Sequence, residues 1–598
     1  MKSTDRNLGM DRRISRRDLP HGVGFLAATS LAPGRALADE LLGLERAGAG
    51  GYPPALTGLR GSHIGSFEAA HALARNGKTD WGPVHEPDSG IYDLVVVGGG
   101  ISGLAAAYFY RKAHPGARIL ILDNHDDFGG HAKRNEIAVG GRTLLGYGGS
   151  QTLEAPSDFS DVVKTLLGDL GVDIERFYAA YDQDFYRRND LSGGVYFGAD
   201  DWGAGRLVRY DLGGLGGYLP LAPSILSAGE AVDRMPISEP ARREILRLLV
   251  TEQDRMPEVP ADEKEDYLYE ISYREFLSRH LDIHEPEVFA VFQNLATESS
   301  VGIESTAAGE AIYYSGLPGK MATGIPEREE DEPYIHHFPD GNASIARLLV
   351  RAMIPAVAPG STMEDVVTTR FDYSLLDTAN SSVRLRLSST VTRVENDGDP
   401  QSAKRVCISY VRGDRACRVQ ARCCVLACNN SMIPYLCPEL PASQREALAL
   451  QVRSPILYTK FSQRNWQAWK KLGIGAVVSP GGYHANAMLD FPVSLGDYRF
   501  SSEAGDPIAV HMERFPHRPN EGLSEREQRR RGRHELLATS FETIERNIRS
   551  QLADTLADGG FDPARDIEGI TVNRWPHGYA DGYTELEAPS YADRNDER

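Results

Sequence analysis

At 598 residues the chain is too long for one hydrophobic core, so two or more domains are expected. Its 41% hydrophobic and 25% charged residues are the composition of a soluble globular protein. A formal net charge of -19 argues against nonspecific nucleic-acid binding and suits a cationic substrate.

Residues 1–38 read as a targeting segment. Arg16 and Arg17 form a pair, Val23 to Leu31 is apolar, and Ala36-Leu37-Ala38 supplies a small-residue cleavage site. The pattern is similar to a twin-arginine signal, which implies export to the periplasm in folded form. Leu19 stands where that pattern prefers phenylalanine, and Pro20 and His21 interrupt the apolar entry. The alternative is a basic tail on a cytoplasmic protein. No later segment reaches the length of a membrane span.

Residues 39–90 are expected to form a small N-terminal lobe, with a turn at Gly61-Ser62 and a helix from Phe67 to Ala74. His63 precedes that helix and His71 lies within it.

The stretch from Asp93 to Arg134 organises the rest. Asp93 to Val97 is a short β-branched run, the pattern of a buried strand. Gly98-Gly99-Gly100-Ile101-Ser102-Gly103 follows, then an apolar helix, then a second strand from Arg118 to Leu122 ending at Asp123. This is the spacing of a dinucleotide-binding βαβ unit. Gly98 permits the tight turn, Gly100 lets a pyrophosphate approach the backbone, and Gly103 lets the helix pack on the sheet. The helix start, at Ile101, offers N–H groups to phosphate. Asp123 can accept from ribose hydroxyls. Gly129 and Gly130, just past the second strand, let the chain pass close to a pyrophosphate and ribitol, which favours a flavin over a nicotinamide cofactor. Lys133 and Arg134 are candidates to neutralise phosphate, or else form a basic surface turn.

From Gly140 to Glu154 the chain is glycine-rich and able to lie flat against a ring system. Glu154 is a candidate to recognise an ammonium group, or a solvated loop acid. Residues 155–320 carry aromatic clusters, suited to aliphatic amines and equally to a plain core. Glu327 to Glu332 reads as a solvated acidic face. His336-His337 leads into a helix from Ile345 to Met353, either close to the cofactor or as a turn. Val383 to Leu387 alternates apolar and charged residues, the pattern of a half-buried strand. All six cysteines lie between Cys407 and Cys437, without a Cys-x-x-Cys-His motif, so c-type haem attachment is not expected and core packing is. Phe541, Ile544 and Ile548 have the spacing of a core-facing helical stripe.

Four stretches carry a family resemblance: TGLRGSHIGSFEAAHALA from residue 57, ILILDNHDDFGGHAKRNE from residue 119, HHFPDGNASIARLLVRAMIP from residue 336, and TVNRWPHGYA from residue 571. Together they resemble the bacterial spermidine dehydrogenases of the flavin amine oxidase group. The resemblance implies an FAD-dependent periplasmic dehydrogenase of polyamines that passes electrons to an unidentified acceptor. It implies Gly98, Gly100, Ile101, Gly103, Asp123, Gly129, Gly130 and Arg134 as cofactor-binding residues, with Val391 holding adenine through its backbone. It sets Glu154, His336 and His337 near the flavin as catalytic candidates. Some members also carry haem b, for which His63 or His71 is the candidate ligand; two polar histidines beside a helix are the alternative.

The expected fold is α/β, with a discontinuous Rossmann-like FAD-binding domain, an α+β substrate domain and the small N-terminal lobe. FAD-binding parts are expected at 91–150 and 380–436, and substrate-domain parts at 151–379 and 437–570. Residues 571–598 are expected to be a truncated or divergent C-terminal FAD segment, because the resemblance stops at Ala580 and a polar tail follows. That ending predicts weakened FAD retention. The expected chemistry is oxidation of a spermidine-like polyamine beside a secondary amine, giving an iminium that hydrolyses to an aminoaldehyde and a diamine. The alternatives are another FAD-dependent oxidoreductase, such as an amino-acid oxidase or desaturase, or a degenerate flavoprotein without turnover.

Overall fold

Valine, isoleucine and leucine runs build the spine of the first sheet. Tyr92–Val97, Ile119–Leu122, Val383–Arg386 and Arg415–Leu426 lie parallel, in the order 383–386, 119–122, 92–97, 415–426. The computed structural model describes residues 3–10, 51–215, 218–296, 298–326 and 332–579. The cleavage-site motif, most of the acidic run and the tail from Ala580 lie outside the described residues. An antiparallel extension, Val406–Arg412 and Ser389–Asn396, completes the sheet beyond Arg415–Leu426. The helix Ile101–Ala113 crosses between the two central parallel strands and packs against the helix Ala343–Met353.

The charged face of Val383–Arg386 is not solvated. Arg386 is buried and bonds Asp377 and Asp88 at 2.8 Å each, while Arg384 bonds the same two acids. These carboxylates hold the Arg386 guanidinium above its usual range against the cost of burial. Alternation here reflects ion pairing inside the fold rather than a wet face.

The second sheet has eight strands and is mixed: Gly58–Gly61, Ile567–Tyr579, Ser454–Gln463, Ile508–Arg514, Asn486–Leu489, Ile474–Val478, Ser192–Phe197 and Arg206–Val208, in that spatial order. Ser454–Gln463 is buried along its whole length, flanked antiparallel on both sides. Phe541, Ile544, Ile548 and Leu552 form the buried stripe of the helix Phe541–Thr555.

Two expectations about the chain's ends are corrected by this topology. Residues 51–90 do not stand apart as a lobe. Gly58–Gly61 is the edge of the large sheet, parallel to Ile567–Tyr579; Glu68–Asn76 is a helix over the cleft between the sheets; Val84–His85 pairs with the first sheet. Thr571 to Tyr579 likewise belongs to the large sheet, paired with Ser454–Gln463, and not to the nucleotide sheet. At the other terminus, the short helix Ser3–Asn7 docks beside the helix Pro563–Asp566: Asp5 meets Arg546 at 3.3 Å, and the buried Arg549 donates to the Leu8 carbonyl at 3.1 Å.

Candidate functional site

A cavity of about 560 Å³ runs between the two sheets. Thr390 and Val391 line it where the backbone of Ser389–Asn396 makes a bulge after Val391. Gly98, Gly100, Ile101, Asp123, Gly129 and Gly130 line it from the nucleotide domain, and Trp575, Pro576 and His577 from the large sheet. The cavity is therefore shaped by local turns on one wall and by the edge of the large sheet on the other.

The three motif glycines are needed for different reasons. A Cβ on Gly98, at φ +113°, would lie 2.2 Å from the Ala427 carbonyl oxygen. One on Gly103 would lie 2.0 Å from the Gly98 oxygen. These two are required by backbone packing. Gly100 has φ -72°, open to any residue, and a Cβ there would meet nothing nearer than the Gly130 Cα at 3.6 Å. Packing does not demand a glycine at 100, and its bare Cα leaves space on the cavity side of the turn. The donor set at a helix start and this spared volume fit a dinucleotide such as FAD.

Asp123 is buried and accepts from the Gly99 N–H at 2.6 Å and the His125 N–H at 2.8 Å. Burial pushes its carboxyl above the ordinary range. Gly129 donates to the Gly99 carbonyl at 2.8 Å, so the loop after the second strand is tied to the glycine turn.

Arg134 does not face the cavity. It is buried, donating to Asp340 at 2.9 Å and to Glu136 at 2.7 Å. Lys133 is equally committed, with its ammonium on the carbonyls of Asp127 at 2.6 Å and Phe128 at 3.2 Å. Neither is available to phosphate, which corrects the expectation drawn from their place in sequence.

His63 does not fit axial haem ligation. Its Nδ1 contacts the Ile64 carbonyl at 2.8 Å and its Nε2 the Asp126 carboxylate at 2.9 Å, so both ring nitrogens are used. Arg60 bonds the same carboxylate at 2.7 and 2.9 Å, and the triad clamps the edge of the large sheet to the nucleotide loop. The Arg60 guanidinium and the hydrogen bonds from Arg60 and His63 hold Asp126 well below the carboxylate range against the cost of burial. His71 lines the cavity, where burial and Arg75 lower its imidazole to about 4. Among the described residues no group of three or more His, Cys, Asp or Glu is arranged to hold a metal ion.

Behind the glycine segment that follows Tyr147 lies a second constellation. Tyr458 and Lys460 alternate onto one face of Ser454–Gln463, and Lys460 pairs directly with His511 on Ile508–Arg514. The Lys460 ammonium bonds Asp490 at 2.8 Å and sits 3.3 Å from the Tyr147 ring centroid. Burial lowers it to about 8 despite Asp490. His511 meets Glu513 at 3.0 Å, and Asn486 donates to Glu513 at 2.7 Å. Tyr579 donates to Glu298 at 3.0 Å and lies 2.6 Å from the Tyr458 hydroxyl. Glu298 has φ +75° and Ser300 φ +55°, both buried; such backbone costs about 1–3 kcal/mol per residue and clusters at functional sites.

The catalytic candidates divide across this region. His337 is stacked between Phe491, 4.2 Å away by centroid, and Tyr181 at 5.6 Å, with its Nδ1 on the Thr152 hydroxyl at 2.9 Å. Burial lowers it to about 3, so it is neutral and acts as a wall. His336 is buried edge-on against Phe177 and Tyr178. Glu154 is exposed, at the margin of the cluster, where its charge acts on Tyr218 and Tyr334. The buried carboxylates are Glu298, Asp490 and Glu513, none of them singled out from sequence. Lys460 did leave a signal, as the lone charge in the apolar run ILYTKFS, and Glu513 a weaker one, beside Arg514 at the end of the apolar run IAVHM. Glu298 left none.

A family model described as an NAD(P)-binding Rossmann-like domain matches residues 96–170. No curated protein matches the chain. Among solved structures it is similar to a putrescine oxidase bound to putrescine, at 15% identity over 85% of this chain and 91% of that one, TM-score 0.45. It is similar to cyclohexylamine oxidase from Brevibacterium oxydans at 16% identity, covering 83% and 87%, TM-score 0.42. It is also similar to a CLA-producing fatty acid isomerase from P. acnes at 12% identity, covering 84% and 92%, TM-score 0.39. The nucleotide half is a Rossmann-like domain, joined to a larger mixed α/β domain.

Proposed function

We propose that the chain is an FAD-dependent oxidoreductase that oxidises an amine, with a spermidine-like polyamine as the preferred substrate. The observation that carries the cofactor is the cavity of about 560 Å³ lined jointly by the glycine turn, Val391 and the Trp575–His577 end of its strand, so that both sheets contribute to it. Gly98, Gly100, Ile101, Gly103, Gly129 and Gly130 would surround its pyrophosphate, and Asp123 its ribose. Bound FAD supplies a two-electron acceptor for the carbon beside the substrate nitrogen.

The chain's own residues support an amine over an acid. The buried region holds three carboxylates, Glu298, Asp490 and Glu513, among Tyr147, Tyr458, Tyr579 and Phe491. Phenol and phenyl faces attract an alkylammonium, and a desolvated carboxylate does so more strongly; Asp490 is already paired with Lys460, so the excess acid of this face is Glu298 and Glu513. Lys460 is the buried cation of this face and is already bonded to Asp490, so it offers no free clamp for a substrate carboxylate. The neutral His337 and the phenols exclude water without competing for charge. Loss of two electrons and a proton converts the amine to an iminium, which water hydrolyses to an aldehyde and an amine. Residues 1–38 support periplasmic placement of this reaction by sequence pattern.

The test is the absorbance spectrum of purified protein, followed by anaerobic addition of spermidine, spermine and putrescine beside a panel of amino acids. Bleaching of flavin bands by a polyamine is expected. Bleaching by amino acids alone would replace the substrate, and flavin unresponsive to every amine would overturn the amine reading.

A further inference from the structure

The cavity carries an excess of positive charge that the Rossmann turn does not supply. Its one lining carboxylate among the described residues is Asp123, whose oxygens already accept two backbone N–H groups. Its lining cations are Arg75, Arg453 and Arg533. None of these lies on the nucleotide sheet, and the basic residues that do follow the glycine loop, Lys133 and Arg134, are committed elsewhere. In a chain of net charge -19, three arginines directed at one cavity call for an anion.

Arg533 is the most informative of the three. It lies on the helix Glu525–Ala538, whose other arginines are satisfied: Arg529 pairs with Glu525, Arg530 and Arg531 with Glu527, and Arg526 donates to the Ala449 carbonyl. Arg533 donates only to the Arg453 carbonyl, at 3.1 Å, and has no carboxylate partner among the described residues. Gly532 brings the helix in close, since a Cβ there would lie 2.9 Å from both Pro455 and the Pro516 carbonyl. Burial and the nearby Arg529, Arg526, Arg530 and Arg75 lower its guanidinium to about 10. His131 connects this wall to the turn: it follows Gly130, which touches Gly100, and its Nε2 meets the His577 carbonyl at 3.0 Å.

We propose that Arg533, from the large-domain side of the cavity, and Arg75, at the end of the helix Glu68–Asn76 that packs on the nucleotide sheet through Leu73, together seat the diphosphate of the bound dinucleotide. This rests on the flavin reading. The glycine turn and helix start supply neutral N–H donors; Arg533 brings compensating charge from the opposite wall, so that cofactor binding also ties the two sheets together. Guanidinium suits this seat because it pairs with phosphate oxygens through two parallel N–H groups.

The experiment compares FAD binding by the purified full-length protein with that of Arg533→Gln, Arg533→Lys and Arg75→Gln, at low and high salt, with riboflavin as the phosphate-free control. Loss of one charge-assisted pair predicts roughly tenfold to hundredfold weaker FAD binding in Arg533→Gln. Partial recovery in Arg533→Lys, a shallower salt dependence and riboflavin binding within about twofold of wild type are also expected. Arg75 is exposed at a helix end, so its variant reports on the seat even if Arg533→Gln folds poorly. FAD affinity unchanged in both glutamine variants would overturn the proposal. Should the wild type bind no flavin, the flavin reading falls, and thermal protection by inorganic pyrophosphate tests the seat by itself. Protection lost in Arg533→Gln upholds an anion seat; equal protection in both proteins overturns it.

Discussion

Replacing Gly100 by alanine separates the cofactor's demand from the fold's. At φ -72° and ψ 174° an alanine is unstrained, and its methyl would sit 3.6 Å from Gly130, an ordinary contact. Rigidifying the unfolded chain favours the substitution by about 0.4–1 kcal/mol, and loss of the small helix-cap preference for glycine offsets a similar amount. The stability of the cofactor-free protein is therefore expected to stay within about 0.5 kcal/mol of wild type. The same methyl projects where a pyrophosphate meets the backbone. Losing one charge-assisted N–H contact costs about 1.5–3 kcal/mol, or roughly tenfold to hundredfold in Kd for FAD. Gly103→Ala is the contrast. Its methyl would stand 2.0 Å from a backbone oxygen, and overpacking of that kind costs about 1–3 kcal/mol or more in the cofactor-free protein. The assay is FAD titration by flavin fluorescence alongside denaturant unfolding of the cofactor-free forms. Wild-type FAD affinity in Gly100→Ala, or a loss of stability equal to that of Gly103→Ala, would refute the assignment of the cradle.

Lys460→Met leaves Asp490 buried without its cation, so a loss of about 3–5 kcal/mol is expected in denaturant unfolding, recovered in part by adding Asp490→Leu. Asp126→Asn removes the shared partner of Arg60 and His63; since its side chain is 29% exposed, a smaller loss of about 1–3 kcal/mol is expected, read as a lower Tm. His337 and His484 are buried and held near about 3, below the ordinary imidazole range, so they stay neutral in the native state while the unfolded chain protonates. Stability is expected to fall as pH drops from about 6.5 toward about 4, at up to ~1.4 kcal/mol per pH unit for each, and His337→Phe should flatten that slope. An unchanged slope in that variant would remove His337 from the acid response.

The βαβ unit was legible because its determinants are covalent neighbours. A β-branched run, a glycine turn, an apolar helix and a second strand require each other within about thirty residues, whatever the rest of the chain does. The core stripe of Phe541, Ile544 and Ile548 was legible for the same local reason. Charged side chains followed another rule. Arg134 looked like a phosphate ligand from its place beside Gly130, yet a buried guanidinium is held by whichever carboxylate the fold brings, and here that is Asp340. His63 looked like a metal ligand, and Asp126 took it. Lys460 and Asp490, or Arg533 and Arg75, meet only after eight strands and a helix have been set in register. Backbone turns are chosen by local sterics, so the sequence by itself determined the cradle for a dinucleotide. Charge partners are chosen by desolvation, which exists only once the two sheets have closed, so the tertiary structure alone decided which cations and acids face the cavity.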